Sequence, residues 1–429
     1  MSNPRFNTRQ EIERNQLEKL RALLAALIPE NRFYSGRFRS ARIRPHISSL
    51  QSFQLAMPFT SKQELVEDQR LHPPYGSNLT YPLEQYKRLS QTSATSGLPL
   101  RWLDTQQSWD WMLDCWRQVL EAGSVRPEDR LFFAFSFAPF LGFWTAFESA
   151  IRLGCLCIPG GGLSSAARLG MIRDNGVTLL FCTPTYALRL AEVASEEQVD
   201  LAETSVRMIF VAGEPGGSLP GVRARIETLW TGARVIDHHG MTEIGPVSYQ
   251  CSKIRDRLHI LESDYIPEVV DPQDGRPVAP GQTGELVLSN LGRTGSPLLR
   301  YRTGDLVSPG PRQACECGSR ELALQGGILA RTDEMVIVRG VNLYPSAVDE
   351  IVRACEGAGE YRVEIDTRRS LPELHIQVEP RSDLNDSESL SERLQKALNT
   401  ALALRIPVSI VPPGSLPRFE MKARRWVRL

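Results

Sequence analysis

Three segments of this chain follow one pattern: a short apolar run, a turn rich in Gly, Pro or Thr, and then a helical pattern. The apolar runs are VTLLFC at residues 177–182, VRMIFVA at 206–212 and ARVI at 233–236. Strands that alternate with helices form parallel sheets that are buried on both faces. Ligands of such sheets bind beyond the carboxyl ends of the strands, where all three turns lie. The predicted fold class is therefore α/β.

The length and the charge of the chain limit its function classes. Its 429 residues exceed what one core normally supports, so we expect a large domain and a smaller one. Lys and Arg total 50, and Asp and Glu total 50, which gives a formal net charge of +0. This balance removes the electrostatic case for a general nucleic-acid binder or a binder of acidic membranes.

A change of pattern near Gly326 marks the predicted domain boundary. From Met335 onward the order is strand, helix, strand, strand, helix, strand, which is typical of a small α+β domain. We predict a large N-terminal domain over residues 1–330, with buried, largely parallel sheets and flanking helices. A small, mobile α+β C-terminal domain over residues 331–429 follows it, and its last stretch, residues 412–429, is predicted to be a loop with a basic end.

The sequence favours a cytoplasmic protein with no membrane partner. Its N-terminus is polar and has no apolar segment of the kind that a secretory signal needs. The longest uncharged apolar run, residues 131–147, is interrupted by Pro139 and Gly142, which favours a buried strand followed by an aromatic-lined loop over a membrane span. Eight cysteines in such a chain indicate free thiols or metal ligands rather than a disulfide framework.

A loop rich in hydroxyl groups, QTSATSGLPLRW at residues 91–102, is the first candidate ligand site. Such a loop can surround an anion with backbone N–H groups and hydroxyl donors. By composition alone, a Ser/Thr/Gly loop with no anion role is the commoner outcome. Its candidate anion ligands are Thr92, Ser93, Thr95, Ser96 and Gly97.

Two further turns carry residues suited to a nucleotide. In DHHGMTEIG, residues 237–245, Thr242 and Glu243 could present a hydroxyl and a carboxylate to a phosphate and its Mg²⁺, although a turn with a helix-capping Thr is an equal alternative. In LLRYRTGDLV, residues 298–307, Asp305 could accept hydrogen bonds from two ribose hydroxyls, although Asp in a Gly turn is usually turn chemistry.

Six motifs together occur in an order that resembles the adenylate-forming enzymes, the superfamily of acyl-CoA synthetases, luciferases and nonribosomal adenylation domains. They are TSATSG, AGEPGG, HHGMTEIG, YRTGDL, ARTDEMVIVRGVNLYP and PRFEMKARR. The resemblance covers nearly the whole chain. It is strongest to the phenylacetate–CoA ligases, whose markers in this sequence are QLEKLRALLAALIPENRFY, MPFTSKQEL, RGVNLYPSAVDEIV and a short C-terminal domain.

The resemblance implies an ATP site and assigns residues to it. The hydroxyl-rich loop would hold the ATP phosphates. Gly213, Glu214 and Pro215 would border the adenine. His238, His239 and Gly240 would lie against the adenine and the substrate carboxylate, and Met241 would belong to the same nucleotide site. Thr242 would contact the α-phosphate, and Glu243 would help to hold Mg²⁺. Asp305 would bind the ribose hydroxyls with help from Arg331.

The resemblance also implies a moving C-terminal domain. Asp333 would be its hinge, and Lys422 would stabilise the adenylation step. After rotation, a face formed by Arg339, Gly340 and Val341 would line the pantetheine channel of coenzyme A. The implied catalytic side chains are Lys422, Thr242, Glu243 and His239.

The chain departs from the family pattern in its phosphate loop and around Lys422. Leu98 stands where the loop normally has Lys, and Ala94 stands where it has Gly. Loss of that Lys removes a cation from the β- and γ-phosphates, which predicts a reduced ATP affinity or rate. Ala330 and Met421 each replace a usual Gly next to Arg331 and Lys422.

The implied reaction has two steps. A carboxylate attacks the α-phosphorus of ATP, which makes an acyl-adenylate and releases pyrophosphate, while Mg²⁺ and Lys422 neutralise the developing negative charge. A thiol, that of coenzyme A, then attacks the acyl carbon. Alternative acceptors remain open: a carrier-protein thiol, an amine or a hydroxyl. A degenerate nucleotide-binding protein is a further alternative, against which the retention of Lys422 and Asp305 argues.

An aromatic segment at residues 135–144 lies where the family builds its acid pocket. The predicted pocket walls are Phe137, Phe140, Phe143 and Tyr186, which would suit an aryl or arylacetic acid. Core packing is the alternative for each of these residues. The predicted partners are a small carboxylic acid, ATP and coenzyme A, with a homodimer also open.

Three thiols and one imidazole form a candidate structural zinc site. Cys251 and His259 are close in sequence, and Cys315 and Cys317 are separated by one residue. This ligand set suits tetrahedral Zn²⁺, although the spacing is not that of a standard zinc finger. Several phenylacetate–CoA ligases resemble the chain in this arrangement, and the resemblance favours a structural Zn²⁺.

Overall fold

The computed structural model describes residues 5–44, 46–92, 99–137, 139–338, 341–366, 373–381, 387–420 and 422–429. Its helices are α1 (Arg9–Glu30), α2 (Arg32–Ser40), α3 (Leu50–Ala56), α4 (Lys62–Leu71), α5 (Gln106–Ala122), α6 (Trp144–Leu153), α7 (Ser165–Asp174), α8 (Pro184–Glu196), α9 (Pro220–Leu229), α10 (Pro345–Ala354) and α11 (Ser387–Leu402).

The strands lie along the whole chain from residue 86 onward. In chain order they are β1 (Tyr86–Gln91), β2 (Arg101–Thr105), β3 (Arg130–Phe133), β4 (Leu156–Pro159), β5 (Leu179–Cys182), β6 (Met208–Val211), β7 (Arg234–Asp237), β8 (Gly240–Met241), β9 (Gly245–Pro246), β10 (Ser248–Gln250), β11 (Arg257–Ile260), β12 (Tyr265–Val270), β13 (Gly284–Asn290), β14 (Tyr301–Pro309), β15 (Ala323–Arg331), β16 (Val336–Val338), β17 (Val341–Leu343), β18 (Ala358–Asp366), β19 (Glu373–Pro380), β20 (Val408–Ile410) and β21 (Trp426–Arg428).

The chain divides into two compact units, each made of two segments. The first unit contains residues 1–162 and 237–328, and the second contains residues 163–236 and 329–429. The C-terminal segment thus shares a unit with one of the predicted strand–helix segments. The predicted division into domains 1–330 and 331–429, with the second domain mobile, stays a prediction.

The first unit combines parallel and antiparallel strands. β3 and β4 pair in parallel, and α6 connects them. A six-stranded sheet has the order β10-β11-β15-β14-β13-β12, and β11 pairs antiparallel with β10 and β15, as β13 does with β12 and β14. The α/β class is confirmed, while this sheet departs from the expectation of largely parallel sheets because hairpin connections order its strands.

The N-terminal helices of the first unit pack on that antiparallel sheet. α1 begins where the Thr8 side chain accepts a hydrogen bond from the Glu11 N–H. Its leucines Leu20, Leu23, Leu24 and Leu27 are buried in one cluster with residues of α2 and with Ile266 on β12. Burial of this leucine face against the sheet explains why a polar N-terminal segment folds as a helix.

The second unit contains two of the predicted strand–turn–helix repeats. β5 and β6 pair in parallel, and all four residues of each strand are buried. α8 begins with Thr183 as its N-cap and Pro184 in its first turn, which is the sequence pattern expected for a helix start. These contacts confirm the interpretation of residues 177–182 and 206–212 as buried strands.

The C-terminal segment of the second unit has its own sheet and core. Its four strands have the order β20-β19-β18-β21, and its core includes Val348 and Val352 of α10 and Leu394 and Leu398 of α11. The predicted strands and helices are present. β21 corrects the prediction of a terminal loop: Trp426 packs partly buried on this core, and β21 pairs in parallel with β18.

The apolar run at residues 131–147 starts as a strand, continues as a loop and ends in α6, so the predicted strand and aromatic loop are both present. Among the described residues, no helix combines the length and the apolar character needed to cross a bilayer.

Candidate functional site

His238 follows β7 directly and is buried in the first unit. Its Nδ1 lies 2.7 Å from the carbonyl oxygen of Ser248, and its ring centroid is 4.1 Å from that of Trp116. Because a carbonyl can only accept, Nδ1 carries the proton. Burial lowers the pKa of His238 to about 3, so the imidazole is neutral at physiological pH.

His239 contacts the side chain that was predicted to bind ribose. Its Nε2 lies 2.9 Å from Oδ2 of Asp305, although the two residues are 66 positions apart in the chain. Asp305 lies on β14 directly after Gly304, whose φ of +78° favours glycine. The motifs DHHGMTEIG and LLRYRTGDLV therefore meet in this unit. The other ring nitrogen of His239, Nδ1, is buried and has no hydrogen-bond partner among the described residues.

The Thr242–Glu243 turn is contacted by charged side chains whose role here the sequence did not indicate. Glu243 is buried, and Nζ of Lys62 on α4 lies 3.6 Å from its Oε1. Nη1 of Arg293 donates to the carbonyl oxygen of Thr242 at 2.6 Å. The turn thus presents one buried carboxylate, the oxygen ligand that Mg²⁺ requires.

Arg293 is held by a fully buried ion pair. Its Nε and Nη2 donate to the two carboxylate oxygens of Asp104 at 2.7 and 2.6 Å, and both side chains are 0% exposed. Two parallel hydrogen bonds fix the guanidinium plane. Asp104 on β2 therefore positions the Thr242 turn through Arg293.

The aromatic segment is packed mainly by edge-to-face contacts. Phe143 is buried, and its ring centroid is 5.5 Å from that of Phe135. Phe137 is half-buried against Trp144, and their ring centroids are 4.6 Å apart. The Trp144 Nε1–H donates to the carbonyl oxygen of Phe137. Phe140 is half-buried as well. Phe137 and Phe140 thus keep exposed surface, whereas Phe143 has the burial of a core residue.

Most of the hydroxyl-rich loop lies outside the described residues: Ser93, Thr95, Ser96 and Gly97, together with Ala94 and Leu98. Thr92 is described and buried. Its N–H donates to the carbonyl oxygen of Leu100, and its Oγ1 accepts from the Leu100 N–H, both at 2.9 Å. Thr92 therefore closes the base of this loop.

In the second unit, the predicted adenine turn meets the predicted adenylation lysine. A Cβ at Gly213 would lie 3.5 Å from Cε of Lys422, and Gly213 has a φ of +96°. Oε2 of Glu214 accepts from the Ala423 N–H at 3.1 Å. Glu214 and Pro215 are half-buried, whereas Gly213 is exposed. Lys422 itself is exposed.

Three other predicted residues lie in the second unit. Tyr186 is fully buried, its hydroxyl is 2.9 Å from Oγ of Ser165, and the Arg168 guanidinium lies over its ring. Arg331 forms two hydrogen bonds with Asp333, at 2.9 and 3.2 Å. Val341 begins β17, whereas Arg339 and Gly340 lie outside the described residues.

The predicted zinc ligands form one cluster in the first unit. The ligand atoms of Cys251, His259, Cys315 and Cys317 all lie within 4.8 Å of one another. Zn–S bonds of about 2.3 Å and Zn–N bonds of about 2.05 Å in a tetrahedron require S···S and S···N separations of about 3.8 and 3.5 Å. The Cys251–Cys315 sulfurs are 3.7 Å apart, and Cys317 Sγ is 3.4 Å from His259 Nε2.

Hydrogen bonds within the cluster set the protonation of its thiols and the tautomer of its imidazole. A hydrogen bond from the Cys317 thiol lowers the pKa of Cys251 and raises the pKa of Cys317, so Cys251 is the thiolate and Cys317 is its donor. Nδ1 of His259 lies 3.3 Å from the carbonyl oxygen of Glu321, so Nδ1 carries the proton and Nε2 is left for a ligand bond. The donor set and its geometry fit a closed structural zinc site.

The chain is similar to known proteins along nearly its whole length. Residues 92–293 match the AMP-binding enzyme family, and residues 340–428 match the AMP-binding enzyme C-terminal domain. A phenylacetate–coenzyme A ligase of Escherichia coli is 31% identical, with 97% of this chain and 94% of the relative covered. The chain belongs to the phenylacetate–coenzyme A ligase family of adenylate-forming enzymes. A phenylacetate–coenzyme A ligase of Thermus thermophilus is 30% identical, with 98% and 97% covered.

A solved structure extends the comparison to another acid. The 2-hydroxyisobutyryl-CoA ligase in the postadenylation state, in complex with R3-HIB-AMP, is 29% identical and has a TM-score of 0.91, with 98% of this chain and 90% of that chain covered. The relatives agree on the reaction class, so the chain is an AMP-forming acid–coenzyme A ligase that uses ATP and coenzyme A. They differ in the acid that their names specify.

Sequence reasoning missed the charged residues around the Thr242–Glu243 turn: Lys62, Asp104 and Arg293. Lys62 lies inside the family marker MPFTSKQEL, so its motif was visible while its contact with Glu243 was not. Asp104 and Arg293 are 189 positions apart, and no local pattern pairs them.

Proposed function

We propose that this enzyme activates an aromatic or similarly apolar carboxylic acid as an acyl-adenylate and then transfers the acyl group to coenzyme A. The observation that carries the proposal is that Lys422 lies beside the Gly213 turn, to which the neighbouring Ala423 N–H is hydrogen-bonded through Glu214. A protein that only bound nucleotide would not need an exposed lysine held against its adenine turn.

The proposed roles follow from where charge develops. One carboxylate oxygen of the acid bonds to the α-phosphorus of ATP while the bond to pyrophosphate breaks, and Lys422 would neutralise the charge that accumulates there. Asp305 would accept the ribose hydroxyls, and Glu243 would hold Mg²⁺, which supplies further charge neutralisation. In the second step the thiol sulfur bonds to the acyl carbon, its proton is released and AMP leaves.

The C-terminal segment, residues 331–429, would rotate about Asp333 between the two steps. The pairing of Arg331 with Asp333 fits a hinge whose two neighbouring charges are neutralised locally. Rotation would remove Lys422 and bring the face around Val341 to the thiol. Closure of this kind excludes water from the reactive adenylate.

The preference for an apolar acid rests on the aromatic segment. Residues 131–147 carry no charged side chain, and Phe137 and Phe140 keep part of their surface exposed. An uncharged, aromatic wall stabilises an apolar acid through burial of its hydrocarbon part. The 2-hydroxyisobutyryl-CoA ligase makes a short hydroxy acid the competing candidate.

The metal proposal is one structural Zn²⁺ bound by Cys251, His259, Cys315 and Cys317. Two of the separations between their ligand atoms, Cys251–Cys315 and Cys317–His259, match the edges of a tetrahedral zinc site and support the proposal. The ion would join the β10–β11 hairpin to the turn that precedes β15.

One assay separates the proposed function from its alternatives. We expect ATP–pyrophosphate exchange with at least one acid in a panel that includes phenylacetate, benzoate and 2-hydroxyisobutyrate, and we expect coenzyme A to increase AMP release with that acid. Exchange with 2-hydroxyisobutyrate alone would reject the aromatic preference. Exchange without any effect of coenzyme A would indicate a carrier thiol, amine or hydroxyl acceptor. Absence of exchange with every acid would reject an adenylating activity.

A further inference from the structure

The loop that carries Lys422 is braced from within the C-terminal segment. Arg425 donates from Nε and Nη2 to the two carboxylate oxygens of Glu360, at 2.6 and 3.1 Å. Arg418 forms an equivalent pair with Glu379, at 3.0 and 2.6 Å. Arginine–carboxylate pairs with two parallel bonds fix orientation as well as distance. These contacts set the shape of the loop and would travel with it.

A second set of contacts holds the loop against residues 183–214 of the same unit. The central contact is made by Glu214. Its Oε2 accepts a hydrogen bond from the Ala423 N–H of the loop at 3.1 Å, and its Oε1 accepts one from the Thr185 N–H at 2.8 Å. Arg418 Nε also donates to Glu192 at 3.2 Å. These contacts determine where the loop lies rather than how it is shaped.

We propose that Glu214 is a positioning residue for Lys422: its carboxylate holds the adjacent Ala423 N–H and thereby keeps the lysine over Gly213 during adenylation. This inference rests on the proposed function for the role of Lys422. It gives the Glu214 side chain a task other than bordering the adenine.

The environment of Glu214 supports this task. Thr185 is in the first turn of α8, so the carboxylate lies at the N-terminus of a 13-residue helix, where a negative charge is favoured. Each carboxylate oxygen already accepts from a backbone N–H. These two bonds hold the side chain between the start of α8 and the loop that carries Lys422.

The backbone at Gly213 allows the close approach of the lysine. Its φ of +96° favours glycine, and a Cβ there would lie 3.5 Å from Cε of Lys422. A single backbone hydrogen bond beside the lysine is strong enough to bias its position and weak enough to break when the loop leaves. The Glu360 and Glu379 pairs need not break in that movement.

Amide hydrogen exchange tests the contact without any substrate. In the unsubstituted protein and in Glu214→Ala, exchange is followed at the Ala423 N–H by a method that resolves single amides. We expect about tenfold faster exchange at Ala423 in Glu214→Ala, from the loss of a charge-assisted acceptor. Glu196→Gln, on the same helix α8 and paired with Arg189, should leave it unchanged. Equal exchange in all three proteins would overturn the inference.

Kinetics test whether the contact acts through Lys422. We expect Glu214→Ala to lower the maximal adenylation rate about tenfold, with the KM for ATP and the rate of thioester formation from prepared acyl-adenylate unchanged. In the Lys422→Ala background the same change should cause no further loss, because a positioning residue has nothing left to position. Glu214→Gln, which retains one acceptor oxygen, should be intermediate.

Three kinetic results would overturn the inference: a raised KM for ATP with an unchanged maximal rate, an equal loss in both half-reactions, or a full additional loss in the Lys422→Ala background. If the unsubstituted protein adenylates no acid, the proposed function fails. The exchange experiment then still decides whether Glu214 holds the loop.

Discussion

At the scale of single residues, burial sets the charge of His238, and this has a measurable consequence for stability. The folded state lowers its pKa from 6.5 to about 3 by desolvation. Between these values the unfolded chain binds a proton that the folded chain does not, so stability rises with pH across this window, by up to about 1.4 kcal/mol per pH unit.

We therefore predict that His238→Gln flattens the dependence of unfolding free energy on pH between about 3 and 6.5. Urea unfolding at several pH values, compared with the unsubstituted protein, measures the difference in slope. His72→Gln is the matched control, since His72 is half exposed on the surface of the first unit. Equal slopes in the unsubstituted protein and His238→Gln would show that His238 titrates normally in the folded state.

Asp305 provides a second prediction at the residue scale. Two ribose hydroxyls bound to its carboxylate would each contribute about 1.5–3 kcal/mol, as hydrogen bonds to a charged group do. Asp305→Ala should therefore weaken ATP binding more than tenfold, as measured by calorimetry, with unchanged circular dichroism. Asp274→Ala, at an exposed carboxylate, is the control. An unaltered ATP affinity in Asp305→Ala would remove Asp305 from the nucleotide site.

At the scale of elements, the cysteine–histidine cluster joins segments that the chain keeps apart. Cys251 follows β10, His259 lies on β11, and Cys315 precedes β15 by a turn. We predict one zinc ion per chain, bound tightly enough to survive purification without added metal. Metal analysis of protein prepared without a metal-affinity resin measures it, and a content near zero would show that these are free side chains.

Loss of one zinc ligand should lower the thermal stability of the protein more than it lowers the adenylation rate of the enzyme that remains folded. Cys251→Ser should lower the thermal midpoint and the zinc content together, while the residual folded enzyme keeps its adenylation rate. Cys355→Ser, in the other compact unit, is the matched thiol control. A variant that loses zinc but keeps its thermal midpoint would contradict a structural role for the ion.

At the scale of the whole molecule, the proposed role of Lys422 links the C-terminal loop to the two half-reactions. Its ammonium would be useful only while pyrophosphate leaves, because negative charge accumulates at that moment. Lys422→Ala should lose adenylation by about 10²–10³-fold, the scale for removal of one transition-state donor. It should still make thioester from chemically prepared acyl-adenylate and coenzyme A.

A neighbouring cation controls for the basic character of this loop. Arg424 is exposed and lies two positions from Lys422, so Arg424→Ala should retain both half-reactions. Near-normal adenylation by Lys422→Ala would reduce Lys422 to one more surface charge. An equal loss of both half-reactions would contradict movement of the C-terminal segment between them.

Features that depend on local patterns could be predicted from the amino-acid order alone. Buried strands at residues 177–182 and 206–212 were predictable because a short apolar run followed by a Gly or Pro turn has few alternatives. The C-terminal α+β elements followed for the same reason. The four residues of the cysteine–histidine cluster were named partly from their residue types and partly from the resemblance to phenylacetate–CoA ligases, because their spacing alone is not that of a standard zinc finger.

The partners of those features emerged only from the packing of the folded chain. The His239–Asp305 contact, the buried Asp104–Arg293 pair and the position of Lys422 over Gly213 each join residues far apart in the chain. Local patterns specify which face of an element is apolar, whereas pairing of distant polar groups depends on how those faces pack and on the loss of solvent that follows. β21 was missed for that reason, since three residues become a strand only beside β18.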